Sequence, residues 1–115
     1  MILALLLSGL LLDQSSVPVA AQPINCDRGG AIHTFGGTKW IVFGCSDDQS
    51  TVVVSEAASP AAPFVFVIAP VDGHYTIHGE GNGSKSASDA AGDALKILGD
   101  DGLRALALSV QRTQK

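Results

Sequence analysis

FVFVIAPVDGHYTIHGE, residues 64–80, decides the fold. Its first six positions, 64–69, are all apolar, the pattern of a strand covered on both faces. Asp72-Gly73 follows, a pair that tolerates the left-handed backbone of a two-residue hairpin turn. Closing the chain on that turn sets Ile68 opposite Ile77 and Pro70 opposite Tyr75. Phe64, Phe66, Ile68, Tyr75 and Ile77 then share one face, and Val65, Val67, His74, Thr76, His78 and Glu80 share the other. A slip of one residue would mix the two sets. The clean separation therefore argues for this register and for a hairpin whose first strand is central.

Upstream, residues 31–35 (AIHTF) and 38–44 (TKWIVFG) flank Gly36-Gly37. Two glycines between β-rich runs are a second hairpin signal, because both take positive φ without a Cβ penalty. That register pairs Phe35 with Thr38, His33 with Trp40 and Ile32 with Ile41. His33 and Trp40 read as a cross-strand stacking pair. A polar turn at 45–49 leads to a third strand, residues 50–55 (STVVVS). Residues 57–63 (AASPAAP) form a loop, since their prolines cannot serve a central ladder.

Downstream the period changes. Ser86 or Ser88 is a suitable cap, and Ala87, Ala91, Ala94, Leu95 and Leu98 recur at helical spacing. Gly99 ends this run, and Asp100 is placed to cap a second helix carrying Leu103, Leu106, Ala107 and Val110. Residues 104–111 also alternate with period two, but their Ala and Leu content favours helix. The expected fold is α+β: an antiparallel four- to five-stranded β-meander packed on one face by two C-terminal α-helices.

Residues 2–12 are an eleven-residue apolar run. That is too short to span a bilayer, which takes about 20 residues, and it suits the apolar region of a secretory signal. Val19-Ala20-Ala21 supplies the small residues of a cleavage site. The reading is a signal peptide at 1–21 and a single small α+β domain at 22–115, secreted or periplasmic, with no stable membrane span after cleavage. Cys26 and Cys45 are the only cysteines, and an even pair in an exported chain reads as a disulfide. The net charge of −4, with no basic run interleaved with aromatics, argues against nucleic acid as a partner.

GEGNGSKS, residues 79–86, comes within one letter of a phosphate-binding loop, with Ser84 where glycine is required. Such loops sit in parallel sheets with a magnesium-holding carboxylate nearby, whereas short hairpins make this sheet antiparallel. The stretch reads as a plain strand-to-helix connection, with no nucleotide and no cofactor. His74 and His78 lie four apart on a strand, about 13 Å, too far to share one ion, so no metal site is expected. The candidate acid–base groups are His33, His78 and Glu80, which would define a small periplasmic hydrolase or metal-dependent enzyme. Against them stands the absence of any nucleophile or metal motif. An enzyme inhibitor presenting loop 57–63 is a third class. The leading expectation is an exported, non-catalytic binding module. Its face would carry Trp40, Val42, Val65, Val67, Thr76 and His78, and it would be covered by an unidentified protein or envelope partner, or by a second copy in a homodimer.

Overall fold

The computed structural model describes residues 24–112. It has five strands, β1 (Arg28–Phe35), β2 (Thr38–Gly44), β3 (Thr51–Ser55), β4 (Phe64–Val71) and β5 (His74–Gly81), followed by a helical element, α1 (Lys85–Arg112). The strands pair in sequence order, β1-β2-β3-β4-β5, and every pair is antiparallel. The signal-peptide reading concerns residues 1–21, which lie outside the described residues.

Both hairpin registers follow the turn chemistry. Phe35 faces Thr38, His33 faces Trp40 and Ile32 faces Ile41 across β1 and β2. Ile68 faces Ile77 and Pro70 faces Tyr75 across β4 and β5. Gly36 and Gly37 take φ of 61° and 87°, and Asp72 and Gly73 take 52° and 86°. These are the doubly positive turns that match strand twist. β1 begins earlier than its apolar pattern implied, because a register shift between Gly29 and Ala31 lets Arg28 and Gly29 join the ladder.

One face of the sheet carries the core. Trp40, Val42, Val53, Phe66 and Ile68 are buried against Ala91, Leu95, Leu103, Leu106 and Val110 of α1. The small residues matter, since they let the helix backbone come close. A Cβ on Gly36 would lie 2.6 Å from the Ala90 carbonyl oxygen and from the Ala91 nitrogen. Phe64, Tyr75 and Ile77 pack partly buried around this cluster. Trp40 meets Phe66 at 5.2 Å and Phe64 edge-on at 6.2 Å, and its Nε1 donates to Thr38 Oγ1 at 2.9 Å. That bond lets a large polar-tipped ring sit fully buried.

The C-terminal segment differs from expectation in its breaks, its caps and the placement of Leu98. It is one helical element instead of two separate helices, although the backbone leaves helical values at Gly99 (φ 69°, ψ 178°), where the sequence placed a break. Residues 104–111 are helical, as their Ala and Leu content implied. Ser84, not Ser86 or Ser88, stands at the cap: its Oγ accepts from the Ala87 N–H at 3.4 Å. Asp100 has been recruited elsewhere. Its Oδ1 accepts from the Tyr75 N–H at 2.9 Å and its Oδ2 lies 2.9 Å from His74 Nδ1. The pairing with His74 and the Tyr75 amide hold the Asp100 carboxyl below the usual carboxylate value. Leu98, expected in the apolar stripe, is exposed beside the break.

Polar ties also close the corner around the disulfide. Cys26 and Cys45 form the expected disulfide. Gln111 bridges to it, donating from Nε2 to the Cys45 carbonyl at 2.8 Å and accepting from Arg28 Nη1 at 2.6 Å. Asp47 organises the adjoining turn: its carboxylate accepts from Ser50 Oγ at 2.6 Å, from the Ser50 N–H at 2.8 Å and from the Gln49 N–H at 3.0 Å. Burial pushes this carboxyl up, but the Ser50 and Gln49 bonds outweigh it and hold it below its ordinary value.

Candidate functional site

The helix covers one face of the sheet, and side chains alternate between faces along each strand. Beside the buried Trp40, Val42, Val53, Phe66 and Ile68 stand Ile41, Phe43, Val52, Val54, Val65 and Val67, which point the other way. Two neighbouring rows result. Ile41, Val54, Val65 and Glu80 are consecutive cross-strand partners, and so are Phe43, Val52, Val67 and His78. Ile32 extends the first row onto β1 and is 57% exposed, and Val67 is 44% exposed. Among the described residues no element lies over this face. Its charged groups sit at the margins: Lys39 and Glu56 at one end of β2 and β3, Glu80 and His78 along β5.

Loop 57–63 bounds one end of the face. With β4 and β5 it frames an open groove of about 590 Å³, whose apolar lining includes Ile41, Val54, Pro63, Phe64 and Val65, with Glu80 and Asn82 at the rim. The loop is pinned from behind. The Ser84 N–H donates to the Pro60 carbonyl and the Asn82 N–H to the Pro63 carbonyl, both at 2.9 Å. Ala61 is fully buried, and Gly83 passes so close that a Cβ there would lie 2.7 Å from the Ala62 carbonyl oxygen. Two amides of the GEGNGSKS stretch are thus spent on the protein's own backbone. A phosphate cradle needs such amides pointing outward at a ligand.

The residues singled out in the sequence fall on both sides of the sheet. Val65, Val67, Thr76 and His78 lie on the uncovered face. Trp40 and Val42 do not: both are buried beneath the helix, which corrects their assignment to the binding face. His33 is also on the helix side, and its ring stacks on Phe35 at 5.8 Å instead of on Trp40. His78 Nε2 approaches Glu80 Oε2 at 3.8 Å, but both side chains are more than two-thirds exposed on an edge strand. His33 is separated from them by the thickness of the sheet and by three intervening strands. Among the described residues no group of three or more His, Cys, Asp or Glu side chains is arranged to hold a metal ion, and no helix is long and apolar enough to cross a membrane.

Ile41, Phe43, Val52 and Val54 are the part of this surface that the sequence reading missed. Their signal was present. Residues 40–43, 52–54 and 64–69 are apolar without interruption. In an antiparallel sheet such runs mean two apolar faces, while one C-terminal helical segment can cover only one. No protein-family model, curated protein or solved structure matches the chain.

Proposed function

We propose that the protein is an exported, non-catalytic binding module whose docking surface is the helix-free face of the sheet. One observation carries this reading: three adjacent central strands present apolar side chains on the face that no described element covers. Contiguous apolar surface of this kind, rimmed by charged and polar groups, marks interaction sites. The rim is supplied by Lys39, Glu56, Thr76, His78 and Glu80. The exposed, edge-strand position of the His78–Glu80 pair suits a polar margin better than an acid–base centre, which works in a water-excluding cleft. Secretion or a periplasmic location is supported by the Cys26–Cys45 disulfide.

The test is site-specific photo-crosslinking in the native host. A photoreactive residue at Val65 should give a discrete adduct. The same residue at Ile97, 83% exposed on the outer side of the helix, should not. Equal labelling from both positions, or none from Val65, would overturn the reading.

A further inference from the structure

We infer that the occupant of the open face is a second copy of this chain, packed sheet to sheet with the helices outermost. The inference rests on reading that face as a docking surface. Its first support is area. Five strands about 4.8 Å apart, each contributing roughly seven residues at about 3.3 Å, give a face of roughly 550 Å². Side-chain relief makes the accessible area larger, so closing two copies removes about 1,200 Å² or more, the lower bound for a specific interface. A small ligand in the 590 Å³ groove would leave Phe43, Val52 and Val67, which do not line it, still in water.

The second support is shape. The face is built mainly from β-branched side chains with no protruding loop except at one end. An identical sheet has the same twist, and two such sheets stack about 10 Å apart with strands inclined by about 30°.

The third support is the placement of charge. A two-fold axis running across the strands, between the row ending in Glu80 and the row ending in His78, exchanges the two rows. Val54 then falls beside the partner subunit's Val52, and Glu80 beside the partner subunit's His78. Unlike groups meet at the margin, and the centre is wholly aliphatic. An axis along the central strand would instead set Glu56 against its own copy. The self-complementarity that a two-fold contact demands is therefore met by one arrangement.

The experiment is light scattering coupled to size exclusion on the purified protein, loaded at about 100 µM, above the micromolar weak end of the affinities that specific interfaces span. Wild type should show twice the chain mass and fall toward the monomer mass on dilution. Val54→Lys and Val65→Lys, each placing a charge at the centre of the face, should hold the monomer mass at every concentration while keeping the thermal transition. Ile97→Lys on the helix exterior should remain a dimer. A wild-type monomer at the highest concentration would overturn the inference, as would a Val65→Lys variant that is folded and still dimeric. If Val65 crosslinks to a different protein in the host while the purified chain is monomeric, this inference fails and the docking-surface reading stands. If the chain dimerises but the lysine variants do not disturb it, this inference fails, and the docking-surface reading stands or falls on the Val65 crosslink alone.

Discussion

Gly36 and Gly37 are adjacent, share one turn and differ in a single respect, which makes them a measuring device for the helix–sheet contact. Each has positive φ, 61° and 87°, so replacing either by alanine incurs the left-handed penalty of about 1–2 kcal/mol. At Gly37 the added methyl meets nothing within 4 Å, and the penalty should end there. At Gly36 it would lie 2.6 Å from the Ala90 carbonyl oxygen and the Ala91 nitrogen. Those are backbone atoms of a packed helix, so no rotamer change relieves the clash. Overpacking of that kind adds about 1–3 kcal/mol. Gly37→Ala should therefore lower stability by about 1–2 kcal/mol and Gly36→Ala by about 2–5 kcal/mol. Urea unfolding of both variants against wild type gives the difference directly. In a domain of this size each kcal/mol moves the thermal midpoint by roughly 4–8 °C, so the two midpoints should be clearly separated. Equal destabilisation would mean that the helix does not rest on the β1–β2 turn, and the placement of α1 would have to be abandoned.

Other perturbations test other parts of the same packing. Phe66, buried between Trp40 and Phe64 at ring distances of 5.2 and 5.0 Å, should cost about 3–5 kcal/mol when cut to alanine; a near-native melting temperature would mean that the faces are inverted. Thr51 is buried with its hydroxyl unpartnered among the described residues, so Thr51→Val should stabilise by about 1 kcal/mol by removing an unsatisfied polar atom; a loss of stability in urea would show that the hydroxyl is bonded. Asp47 has a depressed folded-state pKa, so its contribution is present above the unfolded carboxylate value and is lost as pH falls through the folded one. Asp47→Asn should lower the melting temperature at neutral pH and flatten its decline below about pH 4; parallel acid limbs for the two proteins would refute the assignment.

What could be read from the sequence was what local chemistry controls. Gly36-Gly37 and Asp72-Gly73 each fix a register within one hairpin, and the alternation beyond them fixes which residues share a face. The disulfide was legible because Cys26 and Cys45 are an even pair with no other cysteine to compete for either. The relative facing of the two hairpins was a different matter. It passes through β3, which is joined to its neighbours by a turn after Cys45 and by loop 57–63. Neither connection has a residue count that dictates the side on which the next strand presents its side chains. The sequence reading therefore puts Trp40 on the wrong face, although its register opposite His33 is correct. The register Trp40 to Ser55 and Val54 to Val65 decides the matter only in three dimensions. The capping error has a similar origin. Asp100 has the chemistry of a cap, but the start of β5 competes for its oxygens and obtains both.

The order of elements along the chain also sets a schedule. The helix that seals Trp40, Val42, Val53, Phe66 and Ile68 is the last of the described elements, and its final turn is anchored by Gln111 to the disulfide corner and to Arg28 near the start of the described chain. A chain emerging N-terminus first delivers all five strands before any cover for either face. Until residues 85–112 appear, the sheet is a bare bilayer of valines and aromatics, the kind of surface that associates edge to edge and face to face. Folding of the described domain must therefore wait for release of residues 85–112, and a truncation before Lys85 should leave material that aggregates in place of a smaller stable sheet.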